Sequence, residues 1–158
     1  MQTLNLPNYQ KKISHIKGKP YIFDVVRRKK VALTPEEWVR QHFVNYLITK
    51  KKYPKEQIAN EVTVSLNGMS RRCDTVIYNN YLEPVAIVEY KAPTVPITQD
   101  VFEQIARYNI CLRVGILMVT NGLEHYCCRI DYKGMTYSYL KEIPEYDADL
   151  KDFKDVRT

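Results

Sequence analysis

From Val114 to Val119 the chain reads Val-Gly-Ile-Leu-Met-Val, without one polar side chain. The run is far short of the roughly 20 apolar residues that span a membrane, but it has the length of a strand. A strand apolar on both faces has to be covered on both, and such strands belong to parallel pairs joined through a helix. The preceding residues supply that crossover. Gln99 to Leu112 carries Phe102, Ile105, Ala106 and Ile110 at helical spacing. Before it, Val85 to Lys91 is rich in β-branched residues and is ended by Pro93 and Pro96.

Further upstream, Val62, Val64 and Leu66 alternate with Glu61, Thr63 and Ser65, Asn67-Gly68 supplies a tight turn, and Arg72 to Tyr78 forms the next strand. Asn79-Asn80 then turns the chain toward Val85, so three strands make an antiparallel meander. Thr34-Pro35-Glu36-Glu37 opens a helix with a Thr cap, a Pro at the first position and a Glu at the third. Val39, Phe43, Tyr46 and Leu47 carry it to about Thr49. Asn121-Gly122 leads into a strand from Glu124 to Ile130, and Lys133-Gly134 into another from Met135 to Leu140. The reading is an α/β fold with core order αβββαβ, a mixed central sheet flanked by helices. Residues 1–20, with Pro7, Gly18 and Pro20, read as a loosely attached arm before a short strand at Tyr21 to Val26. Residues 21–144 read as the domain, and residues 145–158 as a charged tail.

With 158 residues, 45% of them hydrophobic, the chain fits one domain and leaves no room for a motor besides. The formal charge of +6 favours a polyanionic partner. Arg27-Arg28-Lys29-Lys30 and Lys50-Lys51-Lys52 with Lys55 are the basic clusters, and a solvated surface and a phosphate contact explain them equally well. Met1 to Asn8 lacks the apolar centre of a secretion signal, so no membrane association and a cytoplasmic location are expected. Cys73, Cys111, Cys127 and Cys128 have no metal-knuckle spacing and read as packing residues, while His15, His42 and His125 are scattered and read as structural or solvated. No nucleophile-elbow sequence supports acyl transfer.

Glu89 and Lys91 break the rule that a core strand excludes charge. They lie on one face with Val85 and Ile87, as though the strand ran out of the core into a cleft. Asp74, on the neighbouring strand, would pair close to Glu89. Two carboxylates and a lysine suit phosphodiester hydrolysis, in which the carboxylates hold Mg²⁺, the ion lowers the pKa of a water, and the lysine stabilises developing charge. A surface hairpin carrying an unrelated Asp and a Glu–Lys pair explains the same residues, and composition alone does not choose between them.

The ordered set Arg72-Cys73-Asp74, Val88-Glu89-Tyr90-Lys91-Ala92-Pro93, Gln104-Ile105-Ala106-Arg107-Tyr108 and Val119-Thr120-Asn121-Gly122, with Thr34 to Gln41 upstream, resembles the N-terminal nuclease domain of type I restriction enzyme R subunits, within the PD-(D/E)XK superfamily. The resemblance spans about Tyr21 to Pro144. It implies a restriction-endonuclease-like fold and a Mg²⁺-dependent deoxyribonuclease, with Mn²⁺ as a substitute, DNA as substrate and other restriction-system subunits as partners. Asp74 and Glu89 would be metal ligands and Lys91 the catalytic lysine. Gln104 and Tyr108 match a Gln-x-x-x-Tyr motif and, with Arg72, would orient the site or contact DNA. A glutamate of the first helix would join the metal, and Glu37 is preferred to Glu36. Glu37 is also the third residue of the capping box begun by Thr34, and its side chain hardly serves both ends. Glu61 is a weaker candidate. Cys73 stands where the superfamily name puts proline, and no Gly-x-x-x-x-Gly-Lys-Ser/Thr loop is present to bind ATP. The alternative is a module that keeps the fold to bind nucleic acid or a partner without turnover.

Overall fold

The computed structural model describes residues 1–66, 68–109 and 112–146. Among them the elements run β1 (Ile13–Ile16), β2 (Lys19–Asp24), β3 (Lys29–Ala32), α1 (Pro35–Lys50), β4 (Ile58–Leu66), β5 (Met69–Tyr78), β6 (Pro84–Tyr90), α2 (Gln99–Asn109), β7 (Ile116–Thr120), β8 (His125–Asp131) and β9 (Thr136–Tyr139). The core order αβββαβ is therefore present as α1-β4-β5-β6-α2-β7. Six strands form one sheet in the order β4-β5-β6-β7-β8-β9. Only the β6–β7 pair is parallel, running from Ala86 opposite Ile116 to Tyr90 opposite Thr120.

The apolar run finds its two covers as expected. Ile116 and Met118 pack with Ile77, Ala86, Val88 and the α1 residues Val39, Phe43 and Leu47. Leu117 and Val119 pack on the opposite face with Val76, Ile87 and the α2 residues Phe102 and Ala106. Leu117 and Met118 are fully buried, which stabilises the fold by about 1.5–3 kcal/mol for each side chain.

At the start of α1, Thr34 Oγ1 accepts the Glu37 N–H at 3.1 Å. The residues from Glu37 to Val44 are buried without interruption, wider than one apolar stripe accounts for. Its outer side is covered by the chain's first residues, which corrects the expectation of a loose arm. Leu4 is buried in the α1-side core, Asn5 N donates to Gly122 O at 2.8 Å, and Trp38 Nε1 donates to Gln2 O at 2.8 Å. Lys11 Nζ lies 5.2 Å from the Trp38 ring and 4.7 Å from that of Tyr9. Isolated apolar residues in a polar stretch give no periodic signal, although tertiary contacts fix them all the same. The strand expected at Tyr21–Val26 is β2, and it has two neighbours, forming a separate sheet in the order β1-β2-β3.

Asn67, Ile110 and Cys111 lie outside the described residues, as does the expected tail from residue 147 onward. Tyr146, placed in that tail, is buried, with its N–H donating to Lys51 O at 3.0 Å. Among the described residues no helix is long and apolar enough to cross a membrane.

Candidate active site

The site begins with an irregularity in β4 and β5. In a regular strand, residues three apart face opposite sides, yet Cys73 and Val76 pack in the same α2-side cluster. The register runs from Asn60 opposite Thr75 to Val62 opposite Cys73, so Glu61 faces Asp74. Glu61 has a φ of 54°, a left-handed conformation that costs about 1–3 kcal/mol away from glycine. The register on either side is unshifted, so the irregularity is one unpaired residue on each strand, and it re-aims the side chains around it. The Asp74 carbonyl accepts from Arg40 Nη1 of α1 at 3.2 Å, and its carboxylate Oδ2 accepts the Tyr90 N–H at 3.0 Å.

That second bond brings Asp74 to the end of β6, where Glu89 pairs in parallel with Val119. Burial pushes the Glu89 carboxyl well above the usual carboxylate range, and the charge of Asp74 and a hydrogen bond to it push the same way. Lys91 and the Asn109 side chain oppose them. Glu89 Oε1 is buried and has no hydrogen-bond partner among the described residues. Lys91, just past β6, is tied by its N–H to Thr120 O at 2.9 Å. Glu89 and Lys91 line a cavity of about 380 Å³ with Gln104, Ile105, Tyr108 and Asn109.

Asp74, Glu89, Lys91, Gln104 and Tyr108 thus come together around one cleft, whereas Glu37 does not. Its Oε1 accepts from Arg27 Nη2 at 2.6 Å, while Oε2 lies 3.2 Å from Arg40 Nε and accepts from Gln41 Nε2 at 3.1 Å. Glu36 is exposed. Glu61 is likewise occupied, by Arg40 Nη2 and by Arg72 Nε at 3.1 Å. Arg72 therefore turns toward Glu61, and its neighbour Arg71 reaches the cleft rim instead. The Arg71 guanidinium sits 4.5 Å from the Tyr108 ring centre and its Nε donates to Tyr108 O at 3.1 Å. Among the described residues no group of three or more His, Cys, Asp or Glu side chains is placed to hold a metal.

Arg71 and Asn109 were missed by sequence reasoning. Asn109 had a signal, since Phe102, Ala106 and Asn109 form the buried stripe of α2 and an amide there is out of place. Arg71 had none. The remaining expected structural roles fit their surroundings. Cys73, Cys127 and Cys128 are buried and not joined in disulfides. His42 Nδ1 is bonded to Trp38 O at 2.8 Å, and His125 joins Thr120 Oγ1 at 2.7 Å to Asn5 O at 2.9 Å.

A mixed sheet between two helices, with one carboxylate at an irregularity in a strand, a second at the end of the adjoining strand and a lysine beside it, is a restriction-endonuclease-like architecture. Residues 35–144 match the family described as type I restriction enzyme R protein N terminus, and the chain belongs to that family. Its fold is similar to a solved fragment described as an HsdR subunit of a type I restriction enzyme from Vibrio vulnificus YJ016, with a TM-score of 0.54 at 20% identity. That likeness covers 77% of this chain and 25% of the other, so the chain spans about a quarter of that fragment. No curated protein matches the chain.

Proposed function

We propose that this domain hydrolyses DNA phosphodiester bonds in a Mg²⁺-dependent reaction, with Mn²⁺ as a substitute, as the nuclease part of a type I restriction system whose other subunits are its partners. The observation that carries the reading is the adjacency of Asp74 and Glu89 in a lysine-containing cleft, where Glu89 keeps a buried oxygen without a donor. Two close carboxylates repel each other, and a divalent cation would remove that cost. An all-oxygen donor set suits Mg²⁺, which ordinarily takes one or two carboxylates and fills its shell with water and phosphate, so a third glutamate is not required.

Asp74 and Glu89 are the residues that would hold the ion. When bound, it would polarise the phosphate and lower the pKa of a coordinated water. Lys91 would place its ammonium against the charge developing on the phosphate or hold the attacking water. Gln104 and Tyr108, on the exposed face of α2, would align the DNA backbone along the cleft, with the Arg71 guanidinium beside Tyr108 at its rim.

The test is cleavage of circular and linear DNA in Mg²⁺ or Mn²⁺ by the wild type, Asp74→Ala and Lys91→Ala, with folding matched by circular dichroism. Metal-dependent cutting is expected, falling about 10²–10³-fold in Lys91→Ala and below detection in Asp74→Ala. A folded wild type that cuts neither substrate in either metal would sink the enzyme reading. Retained DNA affinity in that case would indicate a binding module.

A further inference from the structure

Asn109 closes α2 on its buried stripe and is fully buried. An amide in such a place costs about 1–3 kcal/mol for each group left without a partner. Its nitrogen is provided for, because Nδ2 donates to Ile105 O at 2.9 Å. A carbonyl only accepts, so this bond fixes which way the amide faces, and the opposite orientation would set two acceptors against each other. Oδ1 is thereby fixed as well, and it is buried without a hydrogen-bond partner among the described residues.

The other orphan in this cleft is Glu89 Oε1. Both residues line the same cavity, so two buried acceptors belong to the wall of one cleft. Lys91 lines it too, but its ammonium bonds to neither oxygen. Two acceptors reject a phosphate oxygen, which is itself an acceptor. They call for a cation or a donor of hydrogens. A carboxylate beside a divalent ion and an amide oxygen beside one of the ion's waters would satisfy both, because a metal-bound water is a strong donor. The phosphate would then be left to Lys91, Gln104 and Tyr108, which line the same cleft.

We propose that Asn109 is a positioning residue of the metal site: its side chain steadies Glu89, and its Oδ1 accepts a hydrogen bond from a water on the divalent cation that Glu89 and Asp74 bind. The inference rests on the metal-dependent reading above and deepens it.

The test is Mn²⁺ binding to the full chain without DNA, followed by the electron paramagnetic resonance signal of free Mn²⁺, for wild type, Asp74→Ala, Asn109→Ala, Asn109→Leu and Asn109→Asp. Asn109→Ala and the volume-matched Asn109→Leu are expected to weaken Mn²⁺ binding about 10-fold or more, the loss typical of residues supporting a metal ligand. Asn109→Asp keeps the acceptor and adds charge, so it should bind at least as tightly as wild type. If Asn109→Ala does not fold, Asn109→Leu decides. Wild-type affinity in either folded variant would overturn the role of Asn109, and if Asp74→Ala still lost binding, the metal site itself would stand. If wild type does not bind Mn²⁺, or Asp74→Ala binds equally well, both readings fail together.

Discussion

Replacing Arg40 by alanine should damage the fold more than any exposed charge change, and the structure sets the scale. Its guanidinium bridges Glu37 and Glu61 and donates to the Asp74 carbonyl at 3.2 Å, while its plane lies 5.6 Å from the Tyr90 ring centre. Arg40 is 6% exposed and so is Glu37. Burial alone would lower the Arg40 pKa, but Glu37 and Glu61 more than compensate and raise it, as expected of a paired buried cation. Removing one member of a buried ion pair costs about 3–5 kcal/mol, and because Glu37 keeps Arg27 and Glu61 keeps Arg72 the lower end of that range applies here. In a chain of this size each kcal/mol moves the unfolding midpoint by roughly 2–4 °C, so Arg40→Ala should lose about 6–12 °C.

Thermal unfolding of wild type, Arg40→Ala, Arg40→Lys and the pair Glu37→Gln with Arg40→Ala measures this. Arg40→Lys keeps the charge but lacks a planar fork to reach both acids and the carbonyl, so it should recover only part of the loss. The double variant should lose clearly less than the sum of its parts, since Glu37→Gln removes the charge that Arg40→Ala strands. High salt should change little, because the pair is shielded from solvent. A midpoint shift under about 2 °C for Arg40→Ala would refute the reasoning, since exposed pairs typically contribute only about 0–1 kcal/mol.

Two further outcomes are expected. Gly122 has a φ of 86°, and a Cβ there would come 2.7 Å from Leu4 Cδ2; Gly122→Ala should cost at least about 1–2 kcal/mol from backbone strain and speed proteolysis within residues 1–20, and unchanged cleavage would count against the docked N-terminus. Burial lowers the pKa of His42, with Lys11 adding to the effect and the Trp38 carbonyl opposing it, and burial lowers that of His125 against a bond to Asn5 O. The folded values lie below the unfolded one, so this stability is complete above about pH 6.5 and declines as pH falls through that value toward the folded pKa values. Denaturant unfolding at stepped pH should show a flatter decline in the double variant His42→Gln, His125→Gln, and identical slopes would reject the assignment.

The central sheet was legible because its signals were periodic. The apolar run at Val114–Val119 demanded covers on both faces, and α1 and α2 supply them. Asp74, Glu89 and Lys91 stood out as charges at the ends of apolar strands, and hairpin spacing carried one strand to the other. Glu37 misled because a glutamate near a helix start has several uses, and sequence does not reveal that Arg27 and Arg40 converge on its carboxylate. The left-handed turn of the backbone at Glu61 was invisible for a related reason, since the residue carries no glycine-like mark and is held by its arginine partners. The sheet of β1, β2 and β3 escaped because its strands are short and largely exposed, with little alternation to read.

That missed sheet is coupled to the candidate site by two buried polar routes, both starting at Asp24, which is 1% exposed. One passes through Arg27, Glu37 and Arg40 to the Asp74 carbonyl. The other runs from Asp24 Oδ2 to Asn60 Nδ2 at 3.0 Å, then to Thr75 Oγ1 at 2.7 Å and to the Tyr90 hydroxyl at 2.9 Å. Thr75 follows Asp74, and Tyr90 stands between Glu89 and Lys91, so the first route ends on the Asp74 backbone and the second on side chains adjoining the cleft residues. The second route is a continuous chain of hydrogen bonds and the first a chain of ion pairs ending in one, and removing any member strands a buried partner. The family match begins at residue 35, after Asp24 and Arg27. A domain trimmed to those boundaries would keep Asp74, Glu89 and Lys91 but leave Glu37 without Arg27 and Asn60 without Asp24. Residues before the matched region therefore belong to the architecture that holds Asp74 and Glu89 in place.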